Sequence, residues 1–206
     1  MPYDMSNRAR HAEETRQRII DAAALHFLSD GFRDTSIARI AADAGVSEPT
    51  VYATFRSKAG ILRAVLSSTL REGDESVPVS DSPAWREMDA EQDPRRQVAL
   101  FARLHRRLCD REAALFAQLE AAAGVDSEAA ELLAEYEARR YETQSRLART
   151  LGRRGRLRTG LGTRRAADAI WTLASERTYL ALVGARGWSP ARYERWLVEQ
   201  LVAALI

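Results

Sequence analysis

The chain has 206 residues, 46% of them hydrophobic and 29% charged, with a formal net charge of +2. That length allows one large domain or a small module on a larger one, and the composition is that of an ordinary soluble globular protein. It excludes a membrane-spanning helix, since no uncharged stretch approaches the ~18 residues needed, and the small net charge means that any attraction for nucleic acid must come from how charge is arranged.

Residues 1–15 mix Arg, His, Asp and Glu without an apolar run, which speaks against a secretory signal and makes the cytoplasm the expected compartment. From Glu13 to Ser29 a helix is predicted, because Ile20, Ala23, Ala24 and Phe27 repeat at helical spacing and Gly31 follows as a stop. Two short helices come next. The first runs from about Ser36 to Ala44 with Thr35 as its cap and ends at Gly45. The second runs from Glu48 to Phe55 with Ser47 as its cap and Pro49 in its first turn. A longer helix starts at Lys58, the sole lysine, with Leu62, Val65, Leu66 and Thr69 on one face. Residues 73–92 hold Gly, Pro and acidic residues with little periodicity and read as a loop, with Trp85 as an anchor onto a neighbouring surface. Helices resume at about Pro94–Asp110, Glu112–Ala123 and Ser127–Leu151. In the last of these Leu133, Tyr136, Arg140, Thr143, Leu147 and Leu151 share a face. Residues 152–162, GRRGRLRTGLG, read as a solvated interhelical turn. Two final helices span about Arg164–Ala185 and Ser189–Ile206, with Gly187, Ser189 and Pro190 between them. The expected fold is all-α with about nine helices.

Residues 36–55 satisfy what two short helices crossing sharply require. Ala41 is small where the helices touch, Gly45 accepts positive φ at the turn, and Val51 anchors the second helix. These stand four and six positions apart, and Ile37, Ile40, Ala44, Val46 and Phe55 complete a small core. The second helix then offers Ser47, Glu48, Thr50, Tyr52, Ala53 and Thr54 to a major groove. Pro49 and Ala53 suit thymine methyls, and Thr50 or Thr54 suits a base or a phosphate. Tyr52 and Lys58 are placed to reach phosphates. So are Thr35 and Ser36 at the preceding helix start, with Arg39 and Arg56 as flanking cations. Glu48 either accepts from a cytosine N4 or simply suits the positive end of its helix; both readings stand.

The segment TSIARIAADAGVSEPTVYATFRSKAGIL, residues 35–62, resembles the TetR family of bacterial regulators. The matching core is Ile40-Ala41, Ala44–Ser47, Thr50–Tyr52, Phe55, Ser57-Lys58 and Leu62, and the preceding helix also fits. The resemblance implies a DNA-binding domain over residues 1–57 and a ligand-sensing and dimerisation domain over residues 58–206. It implies a homodimer on a pseudo-palindromic operator, usually a repressor, released by a small molecule. It also implies DNA contacts at the positions of Thr35, Ser47, Thr50, Tyr52 and Lys58, and a variable base-reading residue at Glu48.

A short recognition helix covers few base pairs, so a dimer with half-sites ~34–36 Å apart is expected. The last two helices are the candidate interface, through Ala167, Ile170, Ala174, Ala181, Tyr193, Trp196, Leu197, Gln200, Leu201 and Ala204; otherwise these residues close the monomer core. Candidate pocket residues among the middle helices are Phe101, His105, Cys109, Phe116, Tyr136, Tyr141 and Trp171. Cys109, the one cysteine, excludes an internal disulfide and reads as a buried hydrophobe, with a redox-sensing thiol as the sharper alternative. His11, His26 and His105 are far apart and no HExxH or CxxC spacing occurs, so no metal or cofactor is expected. Two other classes are weighed. One is a DNA-binding protein without an effector. The other is a helical-bundle enzyme or carrier, for which no paired carboxylates or nucleophile–base set are found.

Overall fold

In the computed structural model, which describes residues 5–69 and 82–206, every regular element is helical. The elements are α1 (Met5–Ser29), α2 (Gly31–Asp34), α3 (Ile37–Asp43), α4 (Glu48–Phe55), α5 (Lys58–Thr69), α6 (Pro83–Ala90), α7 (Pro94–Ala123), α8 (Ser127–Arg153), α9 (Thr163–Leu173), α10 (Glu176–Tyr179), a π-helical turn (Leu180–Ala185) and α11 (Pro190–Leu205). None of the described helices is long and apolar enough to cross a membrane.

The chain divides into two compact units. One comprises the chain to Ser68 together with Leu115–Leu133; the other comprises residues 69–114 and Ala134–Ile206. Helices α7 and α8 therefore contribute to both.

In the first unit α1 buries Ile19, Ile20, Ala23 and Phe27, one turn apart on a single stripe. The helix stops where Gly31 takes φ +82°. It begins earlier than the expected Glu13, because nothing between Met5 and Glu13 breaks a helix. Ile40, Ala41 and Ala44 of α3 meet Val51 and Phe55 of α4 in the interior. Gly45 turns the chain between them at φ +65°, its N–H bonded to the Ala42 carbonyl and that of Val46 to the Ala41 carbonyl.

In the second unit Trp85, Met88, Phe101, Leu147, Leu151, Ala167, Ile170, Tyr193, Leu197 and Leu201 belong to one hydrophobic core. Burying each of the large side chains is worth ~1.5–3 kcal/mol. The turn after α8 is tied to the last helix by the Arg158 N–H, which donates to the Leu205 carbonyl at 2.8 Å.

Three further boundaries differ from the sequence reading. Residues 83–90 form α6, not loop: Ser82 caps it and Pro83 sits in its first turn, so the Ser-Pro pair is a helix start. Trp85 is a core residue of that helix, and the rest of the expected loop, residues 73–81, lies outside the described residues. Helix α7 runs unbroken through Asp110-Arg111-Glu112, a polar trio without Gly or Pro. The expected helix 164–185 is broken at Ala174, whose ψ of 69° ends α9, and Ser175 caps a new start by accepting from the Thr178 N–H. The carbonyls freed by that break are taken from α8. The Arg140 guanidinium donates to the Trp171 and Ala174 oxygens, and the Gln144 amide donates to that of Ala174.

Candidate nucleic-acid interface

Ser47 lies in extended backbone and its hydroxyl accepts from the Thr50 N–H, so α4 starts on a formed cap. Val51 and Phe55 then face inward, and the opposite face is left to solvent. Ser47, Glu48, Pro49, Ala53 and Thr54 are exposed, Thr50 partly so, and Tyr52 keeps 50% of its surface in water. Three hydroxyls are already engaged. Thr50 shares a 2.8 Å bond with Ser47, and Thr54 donates back to the Thr50 carbonyl at 2.8 Å. With its proton used, the Thr54 oxygen faces outward as an acceptor, as does the Glu48 carboxylate.

The residues around this helix are placed unequally. Ser36, not Thr35, is the cap of α3, accepting from the Arg39 N–H. Thr35 is 2% exposed and its hydroxyl donates to the Gly31 carbonyl at 2.7 Å, so its side chain is taken inside the fold and does not face a phosphate. Arg39 is exposed but bonded to Asp30 at 2.8 Å. Asp30 and Asp43 also flank the two nitrogens of His26, at 3.3 and 2.7 Å, which ties α1 to α3.

Lys58 opens α5 as expected, but its ammonium points back. It donates to the carbonyls of Arg33 at 3.3 Å and Thr35 at 3.0 Å, and lies 4.5 Å from the centre of the Phe32 ring. Burial lowers its pKa, and Asp126 and Asp34 oppose that shift. Arg56 holds φ +67° at the end of α4 and is exposed.

The sequence reading did not single out Gly60, which the structure makes essential to this unit. A Cβ there would stand 2.2 Å from the Phe55 carbonyl oxygen, so α4 ends against the first turn of α5 only because position 60 has no side chain. The same unit includes Gln118, whose side-chain oxygen accepts from the Phe32 N–H at 3.2 Å.

The candidate pocket residues separate. Phe116 is buried in the first unit. Phe101, His105, Cys109 and Tyr136 are buried in the second, where the His105 ring stacks on Phe101 and bonds to the Tyr193 hydroxyl at 3.1 Å. Tyr141 and Trp171 are partly exposed and pack edge to face on each other.

Cys109 lies 3.4 Å from the His105 ring. Burial pushes its thiol well up, with Glu176 and Glu112 adding to the shift, and burial holds the His105 pKa down to about 3. Two carboxyls were missed, Glu112 and Glu176, both buried beside these residues. The legible signal was Glu112 itself, which shares the stripe of His105 and Cys109 on α7.

Of the expected interface residues, Ala167, Ile170, Ala174, Tyr193, Leu197 and Leu201 are buried within the second unit itself and so belong to its core. Ala181 is exposed, and Trp196, Gln200 and Ala204 are partly exposed, with Trp196 edge to face on Trp188.

Comparison with known proteins agrees with this geometry. Residues 19–65 match the family described as bacterial regulatory proteins, tetR family. The chain is similar to the HTH-type transcriptional regulator SrpR of Pseudomonas putida, 50% identical over 60 residues, which is 29% of this chain and 28% of that protein. The chain thus matches less than a third of that relative's length. Among solved structures it is similar to NalD, the secondary repressor of the MexAB-OprM multidrug efflux pump in Pseudomonas aeruginosa. That likeness has a TM-score of 0.69 and 23% identity over 95% of this chain and 98% of the other. A tetR-family regulator from Syntrophomonas wolfei gives a TM-score of 0.73 at 20% identity, covering 92% of this chain and 93% of that one. At such identities the structures establish the fold, and the sequence likeness is confined to the N-terminal part of the chain: residues 19–65, the helix-turn-helix segment, match the tetR family of bacterial regulatory proteins.

Proposed function

We propose that the chain is a transcription regulator that binds duplex DNA as a homodimer in the cytoplasm, represses from a pseudo-palindromic operator, and is released by a small-molecule ligand held in the second unit. One observation carries the reading: α4 is capped, anchored by Val51 and Phe55, and presents Glu48, Pro49, Tyr52 and Thr54 outward as a short rigid reading face. The chemistry of that face is acceptor-rich, which favours the exocyclic amines of cytosine and adenine in the groove. Tyr52 and Ser47 supply phosphate contacts that fix register without reading sequence. The repressor name of NalD, whose fold this chain shares, supports the sign of regulation.

The protein acts by binding, not by catalysis. Its nearest approach to a nucleophile and base, Cys109 with His105, is buried, with the thiol protonated and the ring neutral.

Selection of sites from random duplex DNA tests the proposal. A two-fold symmetric site should emerge, and Glu48→Gln should change the preferred base at one position of each half-site. Failure to enrich any duplex overturns the reading.

A further inference from the structure

Helix α7 places His105, Cys109 and Glu112 on one stripe, and α8 answers with Tyr136, Arg140 and Gln144. Glu176 arrives from α10. An apolar core has no need of two carboxyls, yet Glu112 is 3% and Glu176 is 2% exposed.

The two guanidinium groups that bind carboxyls here are engaged with other partners. Arg140 binds Glu137 at 2.7 Å, lies 3.5 Å from Glu176, and spends its remaining donors on the carbonyls of Trp171 and Ala174. Arg177 binds Glu137 at 2.6 Å. The Tyr136 hydroxyl has a single proton and donates it to Glu176 at 3.0 Å. Glu112 contacts the same hydroxyl, and its Oε2 is buried with no hydrogen-bond partner. A buried carboxyl oxygen left unpaired costs more than a well-packed apolar group would, so its retention points to a use.

We propose that this cluster receives an organic cation, its ammonium held by Glu112 and its apolar body lying against the tyrosine rings of Tyr136 and Tyr193. The inference rests on the ligand-released reading above and assigns that ligand its charge. An ammonium supplies the donors that Glu112 Oε2 lacks and is attracted to aromatic faces.

The groups facing Glu112 define a second signature. Glu176 and burial disfavour its charge, while Tyr136, Arg111 and Arg140 favour it; the balance raises its pKa to about 8. Without ligand Glu112 therefore keeps its proton at neutral pH. A cation arriving beside it stabilises the carboxylate, so the proton leaves to solvent as the ammonium binds.

The test is titration calorimetry of the full chain at pH 7 with octylamine, and with octanol as the uncharged match, in two buffers of different ionisation enthalpy. The amine should bind at least ~10-fold more tightly than the alcohol, since one desolvated charge pair is worth ~1.4 kcal/mol or more. It should also release close to one proton. Glu112→Gln, whose melting curve checks that it folds, should lose both the proton release and the preference for the amine. Equal binding of amine and alcohol, no binding of the amine, or proton release that persists in Glu112→Gln overturns the proposal. Calorimetry needs no DNA. Amine capture without any enriched duplex would sink the regulator reading alone, and an enriched palindrome without amine capture would sink this inference alone.

Discussion

Lys58 spends two ammonium donors on the carbonyls of Arg33 and Thr35 and lies over Phe32, so its first duty is to hold the end of α2 against the start of α5. Lys58→Met should therefore lower the melting temperature through the loss of about 1–2 kcal/mol, a charged hydrogen bond being worth roughly that at a partly exposed site. Tyr52, by contrast, touches solvent. Tyr52→Phe should leave melting unchanged and weaken binding to every duplex about 5-fold, with no change in salt slope because a phenol releases no counterion. Fluorescence anisotropy across a salt series checks both. Glu112 makes a pH-dependent prediction. Its carboxyl goes from 4.5 when exposed to about 8 in the fold. Between those values the unfolded chain is ionised while the folded one still holds its proton, so stability falls as pH rises through that window and levels off above it. Glu112→Gln removes this loss. The variant should match the parent near pH 4.5 and exceed it by on the order of 3 kcal/mol at pH 8, as read by urea unfolding.

At the scale of elements, two junctions matter. The α4–α5 corner depends on position 60, where a Cβ would fall 2.2 Å from the Phe55 oxygen. Backbone is the obstacle, so the corner must open. Gly60→Ala should cost more than about 2 kcal/mol and disturb the angle at which α4 is presented, and loss of DNA binding should accompany the fall in melting temperature. The α9–α10 break depends on Arg140. It satisfies the carbonyls of Trp171 and Ala174 and is the guanidinium beside Glu137 and Glu176. Arg140→Met takes this donor from the Trp171 carbonyl and one partner each from Ala174, Glu137 and Glu176. The expected loss is ~3–5 kcal/mol, the usual result of removing one partner of a buried ion pair, visible as a lower urea midpoint.

For the whole molecule, the apolar stripes of α9 and α11 lie in the second unit's own core, so the side chains of these elements open to a second copy are the ones outside that core. The partly exposed Trp188, Trp196 and Val183, with exposed Ala181, are among the apolar groups left on these last elements. Sedimentation should find a species of twice the 23.0 kDa chain mass. Trp196→Asp should shift it toward the monomer and reduce affinity for a palindrome toward that for a single half-site. An unchanged dimer in that variant would remove this face from consideration.

The sequence by itself determined the helix-turn-helix. Ala41, Gly45, Ser47 and Val51 act on neighbours a few residues away, so cap, turn and anchor can be recognised without knowing the rest of the fold. The same locality made α5, α8 and α11 legible. What only the tertiary structure decided are relations between residues far apart in the chain. Periodicity reports that a face of α9 or α11 is covered, not whether its own unit or another copy covers it. It shows Arg140 on an apolar face without showing that a broken helix 31 and 34 residues away supplies the carbonyls it binds. It marks Lys58 as a cation without showing the two oxygens that claim it. The spacing puts Glu112 on the stripe of His105 and Cys109 without showing what covers it. Only the packing of α7, α8 and α10 turns it into a buried carboxyl with one oxygen unmatched, because burial is a property of the surroundings and not of the residue.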